Sequence, residues 1–111
     1  MGLIMRGRKC YTGKVRETKP FHIFSQDYSN VNINTAWGSM YVMGGNGIDV
    51  DISSLGLTSP PKKVFVSASI TNGSGALMVV QATSTTVSVN IMRPTSITNA
   101  SGTMNVLIID D

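Results

Sequence analysis

The sequence predicts an all-β protein, an antiparallel β-sandwich of about seven to eight strands with a jelly-roll-like arrangement. Helical spacing of apolar residues is nearly absent from the 111 residues, because Gly, Pro or β-branched clusters interrupt every window. Strand-like runs recur instead, about ten residues apart, with Gly, Ser, Thr and Asn between them. A chain of this length is one domain with one core.

The strands of the first half of the chain begin after Pro20. A short apolar run covers 21–24, and a second strand signal covers 31–42, VNINTAWGSMYV, which begins with clean alternation. The segment 47–53, GIDVDIS, alternates apolar and polar residues throughout, so we expect a half-buried strand with its acids facing water. The glycines of GGNG at 44–47 lead into a strand rather than a helix, which indicates a hairpin loop and no phosphate site.

The second half repeats the same pattern. The segment 62–70, KKVFVSASI, is followed by TNGSGA, whose Asn72-Gly73 pair predicts a hairpin turn into LMVVQAT. A further turn at STT leads to TVSVNIM, which alternates Val and Ile against Ser, Asn and Met. We expect PTSITNASG to be a linker and TMNVLIID to be the last strand.

Two strands are apolar on both faces. The runs 77–80 and 106–109 have no polar residue, although a sheet with one solvated face should alternate. Burial of the second face against another copy of the chain is the favoured explanation, because a monomer would expose an apolar patch large enough to mark an interface. Cover by the N-terminal arm is the alternative. The expected oligomer interface consists of Leu77, Val79, Val106 and Ile108.

Charge divides the chain into a basic N-terminal arm, 1–19, and a nearly neutral domain, 20–111. The arm holds six of the nine basic residues, and charged residues are only 14% of the sequence. Without interleaved aromatic residues beyond Tyr11, docking to a protein partner is favoured over nucleic-acid binding. No export signal, membrane span or anchoring signal is visible. The expected docking residues are Arg6, Arg8, Lys9, Lys14 and Arg16.

The sequence offers little for catalysis. Cys10 and His22 are the only residues of their types, so neither a disulfide nor a transition-metal site is expected within one chain. Asp49 and Asp51 would lie about 7 Å apart on one strand face. Such paired carboxylates could serve glycoside hydrolysis or bind calcium, but two acids on a solvated strand face are far commoner than a site. No metal or cofactor is expected.

Neutral sugars are typically held by an aromatic face with small polar groups around it, which makes Trp37 and Tyr41 candidates for binding. A core position is nevertheless commoner for a tryptophan such as Trp37, which follows alternating apolar residues. Arg93 precedes Pro94, which ends the strand and places the guanidinium where a ligand or a neighbouring chain could be contacted.

Three segments carry a family resemblance: AWGSMYV, KKVFVSASITNGSGALMVV and VSVNIMRPTSITNASGTMNVLIID. Over about residues 31–109 the chain resembles the C-terminal domains of bacteriophage tail-fibre and receptor-binding proteins. The matching elements are Trp37, Arg93, Pro94 and the 95–102 loop. The chain departs from the family at its end, where Asp110 and Asp111 follow the last strand.

The resemblance implies a β-sandwich that forms a homotrimer at the tip of a fibre, binds host-surface saccharide and has no catalytic activity. The chain would then be made in the host bacterial cytoplasm and reside on the tail or capsid surface of the virion, with itself, other tail or capsid proteins and a host glycan as partners. Two alternatives stay open: a capsid decoration or head-fibre protein docked through the arm, and a small glycan hydrolase. The expected saccharide-binding residues are Trp37, Tyr41, Arg93, Thr95 and Asn99.

Overall fold

A computed structural model describes residues 21–109 and confirms the all-β prediction. The expected docking residues Arg6, Arg8, Lys9, Lys14 and Arg16 lie outside the described residues, as do Cys10, Asp110 and Asp111. One 3-10 turn, Ser53–Leu55, interrupts the strands. The eight strands are β1 (Phe21–Ile33), β2 (Thr35–Trp37), β3 (Met40–Val42), β4 (Ile48–Asp51), β5 (Val64–Ala68), β6 (Ala76–Ala82), β7 (Thr86–Met92) and β8 (Ile97–Ile109).

The strands form two three-stranded antiparallel sheets and a two-stranded ribbon. The first sheet has the order β1-β8-β5, the second has the order β4-β7-β6, and the ribbon pairs β2 with β3. Leaving the ribbon aside, the first strand pairs with the last, and β4, β5 and β6 alternate between the two sheets. This winding is jelly-roll-like, since neighbouring segments of chain are shared between two facing sheets.

The core lies between the two sheets. The alternation of side chains along each strand determines which residues fill it. On β8, Met104, Val106 and Ile108 are fully buried, while Leu107 between them is not. On β7, alternate residues from Val87 to Ile91 fill the same core from the opposite side. Side chains at every second position therefore meet across the sandwich, as strand geometry requires.

The expected linker after Pro94 is largely a strand, which corrects the sequence-based prediction. β8 starts at Ile97 and pairs with β1 as far as Ile33. The register shifts on both sides of Val31, and Asn30 and Asn99 have left-handed φ angles of 54° and 57°. These irregularities break the alternation that a sequence pattern can detect, so both β1 and β8 run longer than predicted, 13 residues each.

Both predicted hairpins are wrong. The Asn72-Gly73 turn joins β5 to β6, which belong to different sheets, so this segment crosses the sandwich. The GGNG segment likewise joins β3 to β4, which pair with different strands. The turn before β7 is a true hairpin, because β6 pairs with β7 and the Thr83 N–H donates to the Thr86 carbonyl at 2.8 Å. Turn residues mark where a chain reverses, but not which strand it pairs with next.

Candidate functional site

The first sheet carries an uncovered apolar row on its outer side. Ile23, Leu107 and Phe65 lie side by side across β1, β8 and β5. Ile23 is 64% exposed and Phe65 is 55% exposed, with Leu107 half-buried between them. These three residues, here called the apolar face, line a shallow depression of about 390 Å³. Phe21, also exposed, extends the row toward the start of β1.

The neighbouring row of the same sheet is polar, and its side chains are hydrogen-bonded to one another. The Ser25 hydroxyl donates to Asn105 Oδ1 at 2.7 Å, and Asn105 Nδ2 donates to the Ser67 hydroxyl at 3.3 Å. One row further, the Thr103 hydroxyl donates to Asp27 Oδ1 at 2.7 Å. Hydroxyl and amide ladders of this kind suit a solvated sheet surface. The apolar face is thus bordered by a polar surface that needs no partner.

The expected oligomer interface is only partly at the surface. Val106 and Ile108 are buried in the core of a single chain, so the expectation that they contact another copy is corrected. The last strand is indeed apolar on both faces, but its outward residue is Leu107. Leu77 is half-buried beside Ile91 on the inner side of the second sheet. Val79 pairs with Val89 and is 40% exposed on β6, which is an edge strand.

A second apolar surface surrounds Val79. The pairing of β6 with β7 shifts between Val79 and Gln81, which leaves Val80 as an exposed bulge residue. Trp37, 53% exposed, lines a shallow depression of about 370 Å³ together with these two valines. Trp37, Val79 and Val80 are here called the edge patch. The tryptophan expected more often in a core is therefore at the surface.

The buried side chain of Asn90 holds Met43, the residue that follows β3. Strand β3 belongs to the ribbon that carries Trp37. Asn90 on β7 accepts the Met43 N–H at 2.9 Å and donates its Nδ2 to the Met43 carbonyl at 3.2 Å. Its Oδ1 also accepts the N–H of Ile91 at 2.8 Å. Both polar groups of the Asn90 amide are thus satisfied in the interior, as burial of an amide requires. This clamp sets where the ribbon lies on the second sheet.

Tyr41, Arg93 and Thr95, three of the expected saccharide residues, are brought together. Tyr41 and Arg93 exchange backbone hydrogen bonds of 2.8 and 2.9 Å, so their side chains leave the same side of the pairing. The guanidinium donates to the Ser74 carbonyl, to the Thr95 carbonyl at 3.2 Å and to the Thr95 hydroxyl at 3.3 Å. A side chain at Gly73 would strike this guanidinium. We call Tyr41, Arg93 and Thr95 the Arg93 cluster.

The other two expected residues do not join this cluster. Trp37 pairs with Met40 and Tyr41 pairs with Ala36, so Trp37 and Tyr41 lie on opposite faces of the ribbon. Asn99 lies in the irregular part of β8, where its N–H donates to the Asn32 side chain at 3.1 Å. The single site expected from sequence is therefore divided among three places.

The carboxylates of β4 are engaged in local hydrogen bonds. Asp49 accepts the Ser88 hydroxyl at 2.6 Å, and Asp51 accepts the Ser53 N–H at 2.8 Å. Hydrogen bonds from the Ser53 side chain and then its backbone lower the pKa of Asp51. A general acid for glycoside hydrolysis needs the opposite shift. Among residues 21–109 no group of three or more His, Cys, Asp or Glu side chains could hold a metal ion.

The exposed residues that the sequence analysis missed are Ile23, Phe65 and Val80. Phe65 shares a strand face with Ser67 and Ser69, and an aromatic residue on an otherwise polar face is a detectable signal. Val80 lies in the run 77–80 that the sequence marks as apolar on both faces, but the bulge that turns it outward depends on the register between β6 and β7.

The chain matches no family model, and no curated protein or solved structure shows significant similarity to it. In the part of the chain that the structure describes, no helix has the length and apolar character needed to cross a membrane.

Proposed function

We propose that this chain is a non-catalytic structural protein of a phage virion, a tail-fibre or tip module that assembles as a homotrimer and adheres to host-surface saccharide. The observation that carries the proposal is the apolar face, a row of large exposed side chains on a folded sandwich. The resemblance of residues 31–109 to phage tip domains supplies the biological setting. The jelly-roll-like winding is compatible with that setting but is shared with many unrelated proteins.

The energy of burying the uncovered row supports self-association. Full burial of a Phe or Ile side chain contributes about 1.5–3 kcal/mol. Covering the exposed parts of Phe21, Ile23 and Phe65, each about half of the side chain, would therefore contribute about 3 kcal/mol per copy. A contiguous apolar surface is unfavourable in water, and a second copy of the same chain can cover it.

Adhesion is assigned to the Arg93 cluster. Tyr41 is half-buried and lies opposite Arg93 in the strand pairing, and three acceptors, one of them the Thr95 hydroxyl, fix the direction of the guanidinium. An aromatic face with directed donors matches the two needs of a neutral sugar, contact with the ring and hydrogen bonds to its hydroxyls. A single shallow site binds weakly, and three sites on one trimer raise the effective affinity without any tight individual contact.

Replacing Arg93 by Met tests this assignment. The variant loses the charged donors of the cluster. We therefore expect its binding to host cells, or to a bacterial glycan on an array that the unmodified chain binds, to fall about tenfold or more. Lys62→Met is the matched control, since it removes one exposed cation elsewhere and should bind as the unmodified chain does. Circular dichroism and solution mass check that both variants fold and assemble alike. Equal binding by Arg93→Met would remove the cluster from the proposal, and an unmodified chain that binds neither cells nor glycans would remove adhesion itself.

A further inference from the structure

We infer that the saccharide bound at the Arg93 cluster is acidic, and that a carboxylate or phosphate group of the sugar pairs with the Arg93 guanidinium. This inference rests on the adhesion assigned above to the cluster and names the class of ligand. The ring contact and the hydrogen bonds of a neutral sugar would leave the charge of this guanidinium without a counter-ion. The charge of Arg93, its remaining donors and its fixed position each favour an acidic ligand.

The positive charge of Arg93 has no counter-ion within residues 21–109. All the acceptors of the guanidinium are neutral, since they are the carbonyls of Ser74 and Thr95 and the Thr95 hydroxyl. The acidic side chains of this part of the chain accept hydrogen bonds elsewhere, and they are Asp27, Asp49 and Asp51. Because Arg93 is half-buried, its charge is less hydrated than that of the exposed Lys62. An anionic group of a ligand would supply the missing opposite charge.

The guanidinium also keeps donors for a ligand. A guanidinium has five N–H donors. In Arg93, Nε and Nη2 each use one N–H on Thr95, and Nη1 uses one on the Ser74 carbonyl. One N–H on each terminal nitrogen therefore has no acceptor among the described residues. Paired guanidinium donors match the two oxygens of a carboxylate or phosphate, and they bind an oxyanion more strongly than a hydroxyl because both partners are charged.

Two glycines make room for the Arg93 side chain. A Cβ at Gly73 would collide with Nη1 and lie 3.0 Å from Cζ, and a Cβ at Gly75 would lie 3.0 Å from the Arg93 Cγ. The arginine can therefore lie along this segment, where its contacts with Ser74 and Thr95 fix the direction of the guanidinium. A side chain that is already positioned loses little conformational freedom when a ligand binds. The cluster is thus pre-organised to receive an anionic group.

A glycan array of chemically matched polysaccharides tests the class of ligand. Each bacterial polysaccharide is printed in its native form, after reduction of its carboxyl groups to alcohols, and after enzymatic removal of its phosphate groups. We expect the unmodified chain to bind acidic polysaccharides, and one of the two treatments to lower that binding about tenfold or more. A loss after carboxyl reduction assigns a carboxylate, and a loss after dephosphorylation assigns a phosphate. This comparison uses the unmodified chain and does not depend on how any variant folds.

Arg93→Gln tests whether the preference comes from the arginine. This variant keeps an amide donor and loses the charge, so its binding to the native and treated polysaccharides should be alike. It leaves the basic arm 1–19 intact, which separates the cluster from a general attraction of the arm to acidic glycans. Lys62→Gln, which removes an exposed cation elsewhere, is the matched control and should keep the preference of about tenfold.

Equal binding of native and treated polysaccharides by the unmodified chain would overturn the acidic ligand and leave adhesion to a neutral sugar in place. A preference for the acidic forms that persists in Arg93→Gln, with unchanged circular dichroism and solution mass, would overturn it as well. An unmodified chain that binds neither cells nor any polysaccharide on the array would overturn adhesion itself.

Discussion

Replacing Gly102 by Ala should lower the free energy of unfolding by about 3 kcal/mol. A Cβ at this position on β8 would collide with the Ser69 carbonyl oxygen and lie 2.7 Å from its carbon and 3.0 Å from the Tyr28 hydroxyl. The obstacle is backbone, so no side-chain rotation relieves it. The same carbonyl accepts the Tyr28 hydroxyl at 2.7 Å, and relief of the collision would break that bond in a half-buried setting. Urea denaturation measures the loss.

Gly44→Ala is the control for this prediction. Its Cβ would meet only the Thr35 hydroxyl, at an ordinary 3.8 Å, and its φ is not in the left-handed region. We expect a change within about 0.5 kcal/mol. Comparable losses at the two glycines would mean that the close approach of β8 to Ser69 is not as the structure has it.

Replacing Asn90 by Asp should lower the free energy of unfolding by about 3–5 kcal/mol at neutral pH. The substitution keeps the shape but removes the donor to the Met43 carbonyl, and it puts a carboxylate oxygen there in a buried position. The loss should shrink as the pH falls, because protonation of the introduced carboxyl supplies a donor again and removes the buried charge. Denaturation at pH 7 and at pH 4 measures both effects.

Asn46→Asp is the matched control, the same change on an exposed side chain whose Nδ2 lies 3.4 Å from Gln81 Oε1. It should cost less than about 0.5 kcal/mol. Because the clamp at Asn90 holds the end of the ribbon, Asn90→Asp should also shift the fluorescence of the single tryptophan, Trp37, toward that of a fully hydrated indole. An unchanged stability would show that Asn90 does not hold the ribbon.

The fold class was predictable because most strands alternate. In β4 the apolar residues Ile48 and Val50 face the core and the two acids face out, as the sequence indicates. β7 follows the same rule with Val87, Val89 and Ile91. Alternation reports which residues share a face, and that is enough for strand positions and for the existence of a sandwich.

Pairing was less predictable, because it depends on contacts between distant parts of the chain. Nothing local says that the strand ending at Ala68 pairs with β8 rather than with its neighbour in sequence. The left-handed residues Asn30 and Asn99 sit where β1 and β8 lose their regular register, and there the alternation fails. The division of the expected saccharide site follows from the same cause, since it required Trp37 and Tyr41 to share a face of a ribbon whose register places them apart.

The apolar runs that first suggested association were read correctly as unusual but assigned to the wrong side chains in β8. One face of that strand is core, and the other presents Leu107 between Ile23 and Phe65. The apolar side chains at the surface are therefore those of the apolar face and not Val106 and Ile108. The argument from Val106 and Ile108 is therefore wrong, and self-association stays a prediction that depends on the exposed area of Ile23 and Phe65.

The solution mass of the unmodified chain, measured by sedimentation over a wide range of concentration, tests self-association most directly. We predict a species of three times the 11.8 kDa chain mass, with Phe65→Ser shifting the equilibrium toward the single chain. A stable 11.8 kDa monomer at every concentration, with Ile23 and Phe65 in contact with water, would contradict the account.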